Sequence, residues 1–325
     1  MFIFYLIFYF LIEERGYVRS WIPVTKGDSL FLFYTLDKDY NNFAEEIKLF
    51  KFDIKKKNGK IHKIFSYDKG IGDIKFKKIK NDFILYFPLY DYLGDKKTRK
   101  LKKIFYFRRN KIKKTFEVDG KNIFFYRFDF YDTTIENSFL LDLRGKIFIT
   151  KNGEKKEITN GVYPLIFYSN IFFLHGSEDG KINSLFKINK DGKKDLFFNK
   201  EPVLEMDKEN RFMFLLTDKD QDLLPEKVYI IDSLLNLNLL FDSDYHIIIK
   251  PSFITLSDTL FVLLSLSEEM IPVKILFLKV KENKVLFKKE VLYKGGIEAK
   301  WLYYPYLISL QKANFLSRFE IISVK

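Results

Sequence analysis

The sequence has no cysteine and few residues of the types that most catalytic and cofactor sites need. The lack of cysteine excludes disulfides, thiolate nucleophiles, cysteine-ligated zinc and iron–sulfur clusters. Only 15 of the 325 residues are glycine, and neither a phosphate-binding glycine loop nor a His-Glu-x-x-His zinc motif occurs. We therefore assign no cofactor and no metal site from the sequence.

Long hydrophobic runs are also missing, apart from the first twelve residues, MFIFYLIFYFLI. A transmembrane helix needs roughly 20 apolar residues, so no transmembrane span is predicted. The segment lacks the basic start and the small-residue cleavage site of a signal peptide, and Glu13 and Glu14 follow it. We interpret the segment as a buried strand, with a leader remnant as the alternative. Because a proper signal peptide is missing, we favour a cytoplasmic location over export.

Aromatic residues are abundant, with 37 Phe and 20 Tyr, and short apolar runs alternate with polar turns along the whole chain. Aromatic side chains pack well on pleated surfaces, so this pattern favours strands over helices. One hairpin recurs, with turn residues at Asn58, Asn110, Asn152, Asp191, Asn236 and Asn283, which are 52, 42, 39, 45 and 47 residues apart. A period of about 40–50 residues with some four strands in each is typical of propeller blades.

Each recurring hairpin is assigned to the outer half of a blade, and another strand pair precedes it in the sequence. An example is GVYPLIFYSN followed by IFFLHGSEDGK. In this order of inner strand, polar turn, hydrophobic strand and outer hairpin, the chain resembles the TolB-like and wider WD40-like propellers. The resemblance implies an all-β fold, a single closed β-propeller of about seven four-stranded blades over residues 1–325, with six blades as the alternative. It also implies a protein partner.

The two ends of the chain complement each other in this scheme. The last unit has three predicted strands, Trp301–Tyr306, Leu307–Lys312 and Phe319–Lys325, and lacks a fourth. Residues 1–16 supply an apolar strand without a partner in its own blade. We expect part of Met1–Glu13 to pair with the C-terminal strand, because this pairing removes an open sheet edge.

Positive charge is concentrated in one stretch of the chain. Between Ile47 and Lys121 there are 24 Lys and Arg against 8 Asp and Glu, while the whole chain carries +13. The densest part, from Lys96 to Lys103, is assigned to a loop of the second blade. Other cations of the stretch are assigned to hairpin turns. The candidate polyanion-binding residues are Lys96, Lys97, Arg99, Lys100, Lys102, Lys103, Arg108 and Arg109. A solvated basic face is the alternative interpretation.

Other polar residues give weaker signals. Asp218, Asp220, Asp222 and Glu226 alternate as oxygen ligands do in calcium loops, but the glycine and the final bidentate Glu of such loops are missing, so a solvated hairpin tip is preferred. His175 lies beside Ser177, Glu178 and Asp179 without a nucleophile motif, and a packed or hydrogen-bonded histidine is expected there. Trp21 and Trp301 occupy corresponding inner strands, where they either line the axis or wedge neighbouring blades together.

Three hypotheses on function follow. The first is a non-catalytic binding or scaffold propeller that engages a protein or other polymer through its loop faces. The second is a carbohydrate-acting hydrolase or lyase with carboxylates around the axis. The third is electrostatic docking to nucleic acid or another polyanion through the two basic blades. No catalytic residue is assigned.

Overall fold

A computed structural model supplies the structure of the chain. The residues that it describes are 8–26, 28–53, 55–56, 58–79, 82–93, 95–108, 111–117, 128–131, 138–143, 145–151, 154–176, 183–209, 211–268, 271–282, 284–292, 297–303, 306–313 and 315–323. Within these ranges the regular structure consists of β-strands without helices, as the sequence predicts. The described part contains no helix with the length and hydrophobicity that a membrane crossing requires.

The described residues form 28 strands. The first nine are β1 (Phe8–Arg15), β2 (Tyr17–Lys26), β3 (Ser29–Asp37), β4 (Ala44–Asp53), β5 (Asn58–Ile71), β6 (Lys75–Ile79), β7 (Asp82–Leu93), β8 (Asp95–Arg108) and β9 (Lys111–Glu117). The next eight are β10 (Phe128–Phe130), β11 (Ser138–Leu143), β12 (Lys146–Lys151), β13 (Glu154–Asn160), β14 (Val162–Phe167), β15 (Asn170–Gly176), β16 (Asn183–Ile188) and β17 (Lys194–Phe198). The last eleven are β18 (Val203–Glu209), β19 (Phe212–Thr217), β20 (Lys227–Ile231), β21 (Leu237–Asp242), β22 (His246–Leu256), β23 (Thr259–Glu268), β24 (Ile271–Lys281), β25 (Lys284–Leu292), β26 (Ile297–Tyr303), β27 (Tyr306–Ala313) and β28 (Leu316–Ser323).

Consecutive strands pair into antiparallel sheets. Five sheets have four strands: β10–β13, β14–β17, β18–β21, β22–β25, and the sheet ordered β1-β28-β27-β26. Strands β2–β9 form one eight-stranded sheet, whose two halves of four strands are joined by a single pair, Ile71 with Leu89. Because hydrogen bonds merge these two halves, the number of blades stays a prediction.

The described residues divide into two compact units, Met1–Phe125 with Ala299–Lys325, and Tyr126–Glu298. In the first unit β1 pairs antiparallel with β28, from Phe8 opposite Ile322 to Arg15 opposite Leu316. The predicted pairing of the N-terminal and C-terminal strands is therefore confirmed. Whether residues 1–325 fold as one domain stays a prediction.

Gly16 makes the step from β1 to β2 possible. Its φ of +122° lies where side chains are strained, and a Cβ there would come within 2.6 Å of the carbonyl oxygen of Asp37. Its N–H donates to the carbonyl of Phe315 at 2.9 Å. The buried hydroxyl of Ser317 accepts the N–H of Val18 at 3.0 Å and donates to the carbonyl of Gly16 at 2.9 Å. These bonds tie the start of β2 to β28.

The core of the first unit lies between its sheets. Trp21, 1% exposed, packs edge-on against Phe319 with ring centroids 5.4 Å apart. The same apolar cluster includes side chains of β1, β3, β4 and β27. A second cluster joins the two halves of the eight-stranded sheet through Phe33, Ile47 and Phe87. Trp21 thus wedges neighbouring sheets together, one of the two roles that the sequence allows.

In the second unit, apolar clusters likewise join each sheet to the next along the chain. One links the sheet β10–β13 to β14–β17 through Leu140 and Phe173. Another links β14–β17 to β18–β21, and a third links β18–β21 to β22–β25. Burying both faces in this way explains why inner strands such as β19, FMFLLT, are apolar at nearly every position.

Candidate functional site

The loop between β3 and β4 gathers three carboxylates. Asp37 ends β3 and has a fully buried side chain, whose Oδ2 accepts Arg19 Nε at 2.8 Å and the N–H of Asn42 at 3.1 Å. Glu45 Oε2 accepts the N–H of Lys38 at 2.7 Å. One oxygen from each of Asp37, Asp39 and Glu45 lies within 4.8 Å of the others.

The loop between β19 and β20 repeats this arrangement 181 residues further along the chain. The sequences are DKDYNNFAE from Asp37 and DKDQDLLPE from Asp218. Asp218 Oδ2 accepts the N–H of Leu223 at 2.8 Å, and Glu226 Oε2 accepts the N–H of Lys219 at 3.0 Å. These are the bonds that the corresponding residues make in the first loop.

Backbone conformation explains why the two loops share a shape. The fourth and sixth loop residues have positive φ in both: Tyr40 at 61° and Asn42 at 74°, Gln221 at 66° and Leu223 at 73°. Left-handed conformations are costly for side chains larger than glycine. Bonds from the loop N–H groups to the leading aspartate offset this cost. The aspartate therefore has a structural role in each loop.

The two loops differ in how their free oxygens are used. In the second loop, Asp218 Oδ1 accepts the N–H of Gln221 at 2.6 Å, and Glu226 Oε1 lies 2.9 Å from His246 Nδ1. In the first loop the Glu45 carboxyl is hydrogen-bonded to that of Asp39, and Asp37 Oδ1 is buried without a partner among the described residues. The second loop thus satisfies its glutamate with a histidine, whereas the first pairs two carboxyl groups.

Burial sets the electrostatics of both glutamates. Desolvation, reinforced by Asp39 and Asp37 and opposed by the N–H of Lys38, raises the pKa of Glu45 to about 7. Desolvation also raises the pKa of Glu226, against the opposing hydrogen bonds from Lys219 and His246. A buried carboxyl beside other carboxylates favours a neutral or cation-bound form.

The interpretation of Asp218–Glu226 as a solvated hairpin tip is wrong for two of its four acids. Asp218 has no exposed surface and Glu226 is 1% exposed, while Asp220 and Asp222 are exposed. The reason is that the loop folds back over its own aspartate. The matching loop at Asp37 was missed, although the repeated Asp-Lys-Asp with a glutamate six residues later is readable in the sequence.

The basic candidates lie in a strand. Lys96, Lys97, Arg99, Lys100, Lys102 and Lys103 all belong to β8, and Arg108 ends it. Their assignment to a loop is wrong, because β8 pairs with β7 as far as Asp95 opposite Leu93. Arg109 lies outside the described residues. That these residues bind a polyanion stays a prediction.

The hairpin of β4 and β5 carries several exposed basic side chains. Lys55 and Lys56 at its turn are 74% and 75% exposed, and Lys63 on β5 is 58% exposed. The first six residues of β5 are exposed on both faces. Among the described pairings, Asn58–Ser66 pair with β4 alone. The hairpin therefore presents a cationic strand edge.

The histidines and tryptophans take structural positions where they are described. His62 lies exposed on β5, and the His175 ring centroid is 5.9 Å from that of Phe186. The packed or hydrogen-bonded histidine that we expect is seen for His175, which packs against Phe186. Ser177, Glu178 and Asp179 lie outside the described residues, as does the side chain of Trp301.

A scan against protein-family models found no match, and a search of curated proteins found none either. Solved structures do match. The β-propeller domain of the Trilobed protease from Pyrococcus furiosus, described as having an open velcro topology, is similar over 97% of this chain and 95% of its own, with a TM-score of 0.55 and 14% identity. This chain has a β-propeller fold.

Two further propeller matches extend over most of the chain. A Trypanosoma rangeli sialidase in complex with sialic acid is similar over 95% of it, with a TM-score of 0.50 and 8% identity, and this propeller spans 55% of the sialidase chain. A Pyrococcus horikoshii acylaminoacyl peptidase is similar over 90% of it and 48% of its own chain, with a TM-score of 0.49 and 13% identity. At these identities the matches to the Trilobed protease and the sialidase support the fold alone. One fold can serve enzymes and binding proteins alike. The narrower resemblance to TolB-like and WD40-like repeats stays a prediction.

Proposed function

We propose that this propeller is a non-catalytic binding protein that holds an acidic protein segment on its basic strands between residues 47 and 121. The observation that carries the proposal is the cationic edge of β5. Strand edges expose N–H and C=O groups that pair with an added extended segment. Lysines on an edge repel a second copy of the same edge and attract an acidic strand.

The charge distribution supports the same partner. A net charge of +16 falls within 75 residues, so the remainder of the chain is net negative by three. Some of these cations are neutralised internally: Lys48 pairs with Glu14, and Lys63 lies 3.6 Å from Glu46. Lys55 pairs with Asp28 at 2.7 Å and Lys56 lies 4.0 Å from Asp53, but both side chains are about three-quarters exposed and such surface pairs are weak, so they still add long-range attraction.

Lysine outnumbers arginine by 47 to 9 in the chain. Base-specific contacts in nucleic acids are made mostly by the planar arginine fork, whereas lysine acts as a point charge. The composition therefore suits a partner recognised through charge and backbone pairing. Nucleic acid is the competing partner in the test.

The test measures binding of a fluorescent poly-glutamate peptide and of a single-stranded DNA oligonucleotide by anisotropy. One variant replaces six lysines around the β4–β5 turn with glutamine: Lys51, Lys55, Lys56, Lys57, Lys60 and Lys63. The matched control removes six exposed lysines outside the basic stretch: Lys151, Lys156, Lys190, Lys200, Lys281 and Lys284.

We expect the peptide to bind at low salt and to be released near 1 M salt, where the screening length falls to about 3 Å. The six-residue variant should lose at least about tenfold in affinity, a change of about 1.4 kcal/mol, while the control variant binds as wild type does. Equal loss in both variants would show general charge attraction. Tighter binding of DNA than of the peptide would assign the basic strands to nucleic acid and overturn the proposal.

A further inference from the structure

A cleft of about 350 Å³ lies in the second unit, between the sheets β18–β21 and β22–β25. Four hairpin turns line it, those that join β18 to β19, β20 to β21, β22 to β23 and β24 to β25. Its volume falls in the usual range of small-molecule sites, roughly 300–1,000 Å³. We propose that this cleft binds a free α-amino acid, with the ligand carboxylate on Arg211 and the ligand ammonium between Asp258 and Glu282.

Arg211 is the residue that points to a ligand. Its Nε–H is buried without a hydrogen-bond partner among the residues that the structure describes. Its Nη2 lies 3.5 Å from the carbonyl oxygen of Ser257 and 3.7 Å from Asp258 Oδ1, beyond the roughly 2.7–3.2 Å of good hydrogen bonds. A guanidinium with such poor partners is costly, and a carboxylate removes the cost by accepting two parallel N–H bonds. The guanidinium also lies 5.3 Å from the centroid of the Phe212 ring, which keeps it at the cleft while it turns its N–H groups toward a ligand.

The charges around the cleft favour a ligand that carries both signs. The lining contains two cations and three carboxylates: Arg211, Lys281, Asp232, Asp258 and Glu282. The Asp232 carboxylate is used within its own turn, where its Oδ1 accepts two backbone N–H groups, each at 2.9 Å. Two cations and two carboxylates are left to face a ligand. A simple anion on Arg211 would meet the Asp258 carboxylate beside it, whereas an α-amino acid brings an ammonium next to its carboxylate and complements both.

Exposure sets the order of strength of these contacts. The Asp258 side chain is 77% exposed against 41% for Arg211, and Lys281 and Glu282 are exposed as well. Within the described part of the chain, Lys281 and Glu282 form no ion pair. Exposed charge pairs are weak, so the ammonium contact at the rim should contribute less than the bidentate contact of the carboxylate with Arg211.

The experiment titrates the full chain with L-leucine by isothermal calorimetry and compares two blocked forms. L-Leucinamide keeps the ammonium and represents a peptide N-terminus, whereas N-acetyl-L-leucine keeps the carboxylate and represents a peptide C-terminus. We expect leucinamide to bind at least about tenfold more weakly than leucine, because it cannot accept from the arginine fork. N-Acetyl-leucine should bind about threefold or more weakly, because it lacks the weaker rim contact.

Variants assign the two contacts to residues. Arg211→Gln should weaken leucine binding by about tenfold or more. Asp258→Asn should weaken leucine binding by about threefold and leave N-acetyl-leucine binding unchanged, a pattern that general damage to the fold would not produce. Arg318→Gln is the matched control, because it removes the same charge from a side chain of similar exposure, 46%, outside the cleft. It should bind leucine as wild type does, and circular dichroism verifies the folding of every variant.

Several outcomes would overturn the proposal. No leucine binding at millimolar concentration would show that water alone satisfies Arg211. N-Acetyl-leucine that binds as tightly as leucine would assign the cleft to a peptide C-terminus, and leucinamide that does so would exclude Arg211 as the carboxylate site. Equal binding by wild type and Arg211→Gln would also contradict it. The test is independent of the acidic partner proposed for the basic strands, because those strands lie in the first unit.

Discussion

Replacing Glu14 with alanine removes the carboxylate that holds β1 to β3 and β4. Glu14 Oε1 accepts the Tyr34 hydroxyl at 2.6 Å, and Oε2 accepts the Lys48 ammonium at 2.8 Å. The side chains of Glu14 and Lys48 are only 10% and 16% exposed. The variant therefore leaves a buried hydroxyl and a nearly buried ammonium without their partner.

The magnitude follows from these two losses. Breaking a buried ion pair from one side costs about 3–5 kcal/mol. Lys48 retains a second carboxylate, Glu46 Oε2 at 3.9 Å, which lowers the cost. We expect Glu14→Ala to lower the free energy of unfolding by about 2–4 kcal/mol, and Glu14→Gln, which still accepts from Tyr34, by about 1–2 kcal/mol. Glu13→Ala, at an exposed position of the same strand, should stay within about 0.5 kcal/mol.

Urea denaturation followed by tryptophan fluorescence measures the effect, because Trp21 and Trp301 both belong to the unit that contains Glu14. A double-mutant cycle with Lys48→Ala separates the ion pair from the hydroxyl bond. If Glu14→Ala cost no more than Glu13→Ala, the ion pair would not be what holds β1 in place.

Three further predictions concern the same unit. Ser317→Ala should lower the free energy of unfolding in urea by about 1–3 kcal/mol, because the Ser317 hydroxyl bonds both the N–H of Val18 and the carbonyl of Gly16. Ser309→Ala is the control and should leave it unchanged, since that buried hydroxyl has no hydrogen-bond partner among the described residues. Equal losses in the two variants would contradict this. The contribution of Glu45 to stability should be fully present below about pH 4.5 and fall by about 1–3 kcal/mol as pH rises through 7, because its raised pKa means that the folded state holds the proton more tightly. The difference between the melting curves of wild type and Glu45→Gln should show this fall, and parallel pH profiles would refute it. Deleting residues 1–12 removes most of the partner of β28 and should cause aggregation in size-exclusion chromatography; an unchanged melting temperature would show that β1 is dispensable.

The all-β fold was predictable because strand formation depends on local pattern. Spaced turn residues and alternating apolar runs predict the hairpins, and β4 and β5 do form one, although Asn58 begins β5 opposite Asp53 and the turn precedes it. The pairing of β1 with β28 was predictable for a different reason. An apolar strand without a partner at one end and a three-stranded unit at the other complete one sheet.

Other features depended on neighbours distant in sequence. Positive charge along Lys96–Lys103 indicated a loop, yet backbone pairing with β7, as at Asp91 with Lys100, makes it a strand. Backbone hydrogen bonds are indifferent to side-chain charge as long as the side chains reach solvent. The charge pattern alone therefore misled the assignment.

The two acidic loops show the same division. Both carry the motif Asp-Lys-Asp with a later glutamate, and their common backbone shape follows from this motif. Their partners depend on the tertiary fold: His246 lies against Glu226 in one loop, whereas the Glu45 carboxyl is hydrogen-bonded to Asp39 in the other. Burial and hydrogen-bond satisfaction are set by whichever side chain the fold brings alongside, and this is not encoded within the loop.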